Sequence, residues 1–159
     1  MWWLKQLSAC LMLLAVAACA GGPDARDTAT HQIDPRLGQI NIMTPTGRVE
    51  QIYKQKLEQL LARSPQGENR YTLTIRISTS YPTDAVEMRV DIDFYDQQEG
   101  RDVMNTSLRT SASVGAVASL FGSEEAKANA RERLAASLAE KTYHRLFLFF
   151  RQTDGSDGS

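Results

Sequence analysis

Three carboxylates in the middle of the 159-residue chain are the first candidates for metal chemistry. Asp91, Asp93 and Asp96 could supply the oxygen ligands that hard cations such as Ca²⁺ require. The apolar residues around them alternate with polar ones, which places Asp91 and Asp93 on the solvent face of a strand and Asp96 at the start of a turn. No glycine-centred calcium loop surrounds them. We therefore expect a solvated strand face and no metal site.

The imidazole and hydroxyl groups form no catalytic motif. His31 lies in a polar stretch and His144 in a helical pattern, and neither has a second His or a Cys spaced as a metal partner. No Ser lies in a Gly-x-Ser-x-Gly elbow. Residues 115–122 include two glycines but lack the Lys-Ser/Thr pair of a phosphate-binding loop. The sequence therefore predicts neither an enzyme nor a cofactor site.

Cys19 is the residue with the clearest covalent chemistry. Residues 1–18 have the features of a signal peptide: one basic residue near the start, an apolar run over 7–16, and small residues before Cys19. That run is short for crossing a bilayer. The four residues Val16-Ala17-Ala18-Cys19 resemble a bacterial lipobox, in which the Cys thiol accepts diacylglycerol. In the alternative interpretation, Cys19 is an ordinary small residue of a signal peptide that is cut nearby.

Removal of residues 1–18 changes the meaning of the overall composition. The remaining 141 residues carry 17 basic and 19 acidic groups, a formal charge of −2, which argues against a nucleic-acid partner. Cys10 leaves with the signal peptide, so the mature chain contains no disulfide. Acyl chains on Cys19 would anchor it to a membrane. Ala20 follows Cys19 where an Asp would resemble an inner-membrane retention signal, so we expect the periplasmic face of the outer membrane.

The mature chain divides into three segments by composition. Residues 19–36 contain the lipidated Cys and a polar stretch that is expected to form a flexible tether. Residues 37–152 are long enough to form one domain with a modest core. Residues 153–159 are rich in Gly, Ser and Asp and are expected to form a disordered tail.

Hydrophobic periodicity predicts an α+β domain with the order β-α-β-β-β-α. Alternation predicts strands over 37–43, 71–78, 86–95 and 102–114, and helical spacing predicts a helix over 46–63, with Thr44 as N-cap and Pro45 at the first turn. Ser123 is the expected N-cap of the last helix. A four-stranded sheet with two helices packed on one face, a two-layer sandwich, buries all of these apolar faces.

Several apolar and basic residues are candidates for contact with a partner. Val117, Leu120 and Phe121 belong to a loop that either folds back onto the core or marks a partner or lipid contact. In the last helix, Leu146 and Phe149 are expected in the core, and Phe147 and Phe150 are candidates for an interface. Arg109, among Ser and Thr on the outer face of the fourth strand, is either available to an anion or simply solvated.

These features in this order resemble the LptE family of lipopolysaccharide-assembly lipoproteins. The resemblance rests on the lipobox ending at Cys19, the strand and helix over 40–61, the hairpin over 73–94, the Arg-Thr-Ser step at 109–111, and the Ala-rich closing helix over 126–148. Two departures are the long polar stretch that begins at Ala20, where the family moves quickly into its first strand, and the missing aromatic beyond the Arg-Thr-Ser step, where Ala112 and Val114 stand.

The resemblance implies a lipoprotein that partners an outer-membrane β-barrel translocon, LptD-like, and binds lipopolysaccharide during its assembly at the cell surface. It implies lipid A phosphates as ligands of a basic residue, with Arg109 as first choice and Arg101 and Lys127 as further candidates. Two other functions remain open from sequence: an auxiliary lipoprotein of a lipid-transport ATPase system, and an activator of a cell-wall synthase.

Overall fold

The computed structural model describes residues 34–83, 85–114 and 120–156. They form a four-stranded sheet and two α-helices in the predicted order. The elements are a short 3-10 helix (Pro35–Gln39), β1 (Ile40–Met43), α1 (Arg48–Leu61), β2 (Tyr71–Ser80), β3 (Ala85–Asp96), β4 (Arg101–Ser113) and α2 (Leu120–Ser156). The predicted two-layer α+β architecture is therefore confirmed.

The four strands lie in the sheet in the order in which they follow each other along the chain. β1 runs parallel to β2, and β2, β3 and β4 form an antiparallel meander. The alternation of apolar and polar residues places alternate side chains of β3, from Val86 to Phe94, in the core. The intervening polar side chains form the opposite face, which is called the open face below.

Both helices cover the apolar face of the sheet. α2 packs on β3 and β4, and α1 packs on α2 and β1. Three alanines of α2, Ala130, Ala135 and Ala139, are buried, and their small side chains let the helix lie close to the core. The two helices also share one buried polar contact: Tyr53 Oη donates to Thr142 Oγ1 (2.6 Å), which in turn donates to the carbonyl of Leu138 (2.9 Å).

The domain begins earlier than the sequence predicted. Residues 34–36 were expected in the tether, yet Asp34 caps the 3-10 helix by accepting a hydrogen bond from the backbone N–H of Arg36 (2.9 Å). Residues 37–39 belong to this helix and not to the first strand, because Asp34 and Pro35 supply a cap and a preset first turn. Gly38 is required here, since a Cβ would lie 2.0 Å from the carbonyl oxygen of Pro65.

Both α-helices begin at residues other than those predicted. The N-cap of α1 is Gly47, whose carbonyl accepts the first helical hydrogen bond from Gln51, so the expected cap at Thr44 is wrong. α2 already begins at Leu120, and the expected cap Ser123 lies inside it. Ser is only mildly unfavourable within a helix, so Ser123 does not prevent the extra residues at the start.

The last helix also extends further than expected. α2 continues to Ser156, through the first four residues of the segment predicted as a disordered tail. The hydroxyl of Thr153 donates to the carbonyl of Phe149 (2.9 Å). Extending a helix from a fixed end is far easier than nucleating one, and buried Phe150 fixes this end.

Candidate functional site

The open face presents polar side chains in rows that run across three strands. Antiparallel pairing aligns one residue each from β2, β3 and β4, and their side chains share a face. The four central rows are Thr74, Asp93 and Asn105; Arg76, Asp91 and Ser107; Ser78, Arg89 and Arg109; and Ser80, Glu87 and Ser111. These rows contain three arginines and three carboxylates, so this part of the face has no net charge.

Most of these charges pair with a neighbour. Arg76 Nη2 lies 2.7 Å from Asp93 Oδ2, and Arg89 contacts Asp91 Oδ1 through both Nε and Nη2 at 2.8 Å. The Arg89 guanidinium holds the pKa of the Asp91 carboxyl below its usual range. Asp91 and Asp93 are thus partners of arginines on a polar sheet face, as their alternation predicted, and among the described residues no group of acidic, His or Cys side chains is arranged to hold a metal ion.

Arg109 has the longest ion-pair distance in this network. Its Nη1 lies 3.8 Å from Glu87 Oε1, beyond hydrogen-bonding distance, and 62% of its side chain is exposed. A cavity of about 300 Å³ lies beside it, and its lining includes Ser78, Ser80, Glu87 and Arg89. An arginine held this weakly beside hydroxyl groups offers planar donors to an anion.

The other two basic candidates do not lie near Arg109. Arg101 is eight residues away along β4, about 27 Å at the rise of an extended strand, and pairs with Glu99 (2.7 Å). Lys127 is on α2, in the helical layer, and pairs with Glu124 (2.8 Å). The fold therefore does not bring the three predicted basic residues into one site. It places Arg89 beside Arg109 instead, which only the strand register reveals.

The apolar interface candidates have different environments. Phe121 is 92% exposed at the start of α2. Phe147 is half-buried, with the guanidinium of Arg151 5.6 Å from its ring centroid. The prediction of Phe150 as an interface residue is wrong, because it is buried in the core against Tyr71 and Phe94. This difference from the prediction arises from the rotation of the helix. Phe150, one residue after the partly buried Phe149, points at the sheet.

Several predicted features lie outside the described residues: the signal peptide (1–18), Cys19, most of the tether including His31, Val117, and the side chain of Leu120. His144 lies on α2 with its side chain exposed. Within residues 34–83, 85–114 and 120–156, none of the helices combines the length and apolar character needed to cross a bilayer.

Comparison with known proteins reveals similarity at the level of the fold. No protein-family model and no curated protein matches the sequence. A putative lipoprotein from Caulobacter crescentus superimposes with a TM-score of 0.58 at 20% identity, over 74% of this chain and 93% of that one. A minor lipoprotein from Acinetobacter baumannii gives 0.53 at 13% identity, over 70% and 93%.

Rare lipoprotein B from Shewanella oneidensis superimposes with a TM-score of 0.37 at 13% identity, over 75% of this chain and 96% of that one. This score is below the level that indicates a common fold. The two superpositions with the higher scores cover nearly the whole of the other chains. The fold of this domain is therefore one that bacterial lipoproteins adopt.

Proposed function

We propose that this chain is a lipid-anchored, non-enzymatic protein of the outer membrane that partners a β-barrel translocon and binds lipopolysaccharide on its way to the cell surface. Its acylated residue is Cys19, and the domain that follows is a scaffold. The resemblance of the sequence to LptE and the fold shared with two bacterial lipoproteins support this proposal.

The proposal of lipopolysaccharide binding rests on the position of Arg109 on the open face. Its side chain is largely exposed, its distance to Glu87 is too long for a hydrogen bond, and a cavity lies beside it. Lipid A phosphates need charge-assisted donors, and a guanidinium supplies two in parallel. A lipid headgroup can reach the residue without unfolding anything, because the helices cover the other face of the sheet.

The barrel contact is assigned to the start of α2. Phe121 is nearly fully exposed, and Leu120 and the apolar residues of 115–119 precede it in the sequence. Removing an exposed ring of this size from water is favourable, so a partner that covers Phe121 gains free energy.

Affinity purification of the acylated full-length protein from membranes tests the partnership. We expect a stoichiometric complex with a β-barrel translocon, and a weaker complex for Phe121→Ser than for Leu148→Ser, which also replaces an exposed apolar residue of α2. Recovery of the protein alone, or with an inner-membrane ATPase, would contradict the proposal.

Lipopolysaccharide binding is tested separately with charge-reversal variants. Arg109→Asp is expected to lower the affinity of the purified lipoprotein for lipopolysaccharide at least fivefold. Arg145→Asp, an exposed position on α2, is the matched control and is expected to bind like the wild type. Equal affinity of both variants would remove Arg109 from the binding site.

A further inference from the structure

One row of the open face differs from its neighbours in charge. Arg89 and Arg109 lie directly opposite each other on β3 and β4, with Ser78 next to them on β2. Like charges directly opposite each other destabilise a strand pair. Of the four central rows, this is the one that contains two charges of the same sign, and each of the two guanidiniums turns to a carboxylate outside its own row.

The two carboxylates hold their arginines with different strength. Asp91 Oδ1 accepts a hydrogen bond from Nε of Arg89 on its own strand (2.8 Å) and lies 2.8 Å from Nη2 of the same guanidinium. Glu87 approaches Arg109 only to 3.8 Å, and 38% of its side chain is exposed. Glu87, Arg89 and Arg109 line the same cavity, together with Ser78 and Ser80. An incoming anion therefore meets Glu87 as the more easily displaced of the two carboxylates.

We propose that Arg89 and Arg109 together bind a phosphate dianion, and that Glu87 is the internal competitor that this dianion displaces from Arg109. The inference rests on the proposed function, since it assigns a regulating residue to the same site. The shared ligand chemistry is that of a phosphate group, whether on a lipid headgroup or free in solution.

The proposed exchange favours phosphate over anions of lower charge. A monoanionic carboxylate that replaces Glu87 at Arg109 makes one similar ion pair and gains little. A phosphate dianion has enough oxygens to bridge both guanidiniums, and it relieves the repulsion between Arg89 and Arg109. Glu87 thus sets the minimum charge that a ligand must carry.

Calorimetric titration of the acylated full-length protein in detergent tests this, with inorganic phosphate and lipopolysaccharide as separate probes. Glu87→Gln removes the competitor and is expected to tighten binding three- to tenfold. Arg89→Ala and Arg109→Ala are each expected to weaken it at least fivefold. The matched controls are Arg76→Ala, a paired arginine on the same face, and Glu99→Gln, in the turn that precedes β4; both are expected within twofold of the wild type.

The outcomes separate this inference from the proposed function. If lipopolysaccharide binding depends on Arg109 but is unchanged in Glu87→Gln or Arg89→Ala, the inference is overturned and the proposed function stands. If the variants rank as expected with inorganic phosphate while the wild type does not bind lipopolysaccharide, the inference stands and the proposed lipid ligand is wrong. If neither probe binds to the wild type or to Glu87→Gln, the inference is overturned.

Discussion

Asp96 shows how a single buried carboxylate closes the turn between β3 and β4. Its side chain is 2% exposed, and its Oδ2 accepts hydrogen bonds from Nη2 (2.7 Å) and Nε (2.9 Å) of Arg70. Its Oδ1 accepts from the backbone N–H groups of Gln98 (2.8 Å) and Glu99 (3.2 Å). The Arg70 hydrogen bonds, helped by the two backbone donors, hold the pKa of Asp96 below its ordinary value although burial opposes them.

This lowered pKa predicts a stability difference that depends on pH. The folded carboxylate keeps its charge to a lower pH than the unfolded one, so its stabilisation is present above the ordinary pKa of about 4 and is lost as the pH falls below it. Asp96→Asn is expected to lower the free energy of unfolding by about 2 kcal/mol at pH 7, the scale of hydrogen bonds to a charged group. Urea titrations at several pH values should find the difference shrinking below pH about 4.

The control for Asp96 is Asp102→Asn, an exposed aspartate at the start of β4. It is expected to change stability by less than about 0.5 kcal/mol, as surface substitutions usually do. A difference between wild type and Asp96→Asn that stays constant from pH 7 to pH 3 would contradict the assigned role.

Tyr53 gives the complementary prediction at alkaline pH. Burial raises the pKa of its phenol, so the folded state keeps the proton to a higher pH than the unfolded state does. The unfolded state therefore ionises first, and the stability of the wild type falls as the pH rises above about 10. Tyr53→Phe is expected to cost about 1 kcal/mol at pH 7 through the lost bond to Thr142. It should also lose less stability than the wild type between about pH 9 and 11, whereas Tyr81→Phe, at an exposed position, should behave like the wild type.

At the scale of elements, the rotation of α2 decides which aromatic residues are structural. Phe150 is 1% exposed and packs against Tyr71, Phe94 and Phe149, while the guanidinium of Arg36 lies 4.7 Å from its ring centroid. Phe147, one turn earlier, is half-buried under Arg151. The last turns of the helix therefore tie the sheet and the start of the domain together through Phe150.

Alanine variants of these two aromatic residues test this assignment through the loss of stability that each one causes. Phe150→Ala is expected to lower the free energy of unfolding by about 3–5 kcal/mol, because it removes a fully buried ring and leaves a cavity. Phe147→Ala should cost clearly less, since water already reaches part of its side chain. Both are read from urea denaturation midpoints of the purified domain. Equal losses for the two variants would place Phe147 in the core as well.

The same elements show how far sequence reasoning reaches. Strict alternation predicted the buried sides of β2 and β3, because a period of two has only two phases. In α2, where each residue turns 100°, a small error in phase placed Phe150 outside the core, although it is buried and Phe149, which also packs against the core, is only partly buried. The strand register could not be predicted from the sequence either. Counting from the turn sets Arg89 opposite Leu108, but an irregularity between Phe94 and Tyr95 shifts the pairing to Arg109.

The bulge thus has a functional consequence at the candidate site. Without it, Leu108 would stand on the open face opposite Arg89, and Arg109 would point toward the helices. With it, Leu108 packs against the core and Arg109 faces the cavity. The two-arginine row depends on a one-residue register shift some five residues away, which explains why sequence analysis found Arg109 but did not pair it with Arg89.

At the scale of the whole molecule, the start of the described domain is fixed to its end. Asp34 and Arg36 pair at 2.6 Å, and Arg36 Nη2 donates to the carbonyl of Phe150 (3.2 Å) near the end of α2. Fourteen residues lie between Cys19 and Asp34, and the fifteen steps along the chain span at most about 54 Å when extended. An anchor at Cys19 would therefore hold the domain within that distance of the membrane surface.

The anchor itself gives the prediction on which this arrangement depends. If Cys19 is acylated, Cys19→Ser abolishes incorporation of labelled palmitate and moves the protein from the membrane to the soluble fraction, because each buried methylene contributes about 0.8 kcal/mol to membrane binding. Cys10→Ser is the matched control: Cys10 lies within the signal peptide and is expected to leave both labelling and membrane retention intact. Both variants should keep the wild-type circular dichroism spectrum, since neither position belongs to the α+β domain. Palmitate labelling of Cys19→Ser would mean that another residue carries the lipid. If Cys19→Ser stays in the membrane fraction without any labelling, a protein partner and not an acyl chain holds it at the membrane.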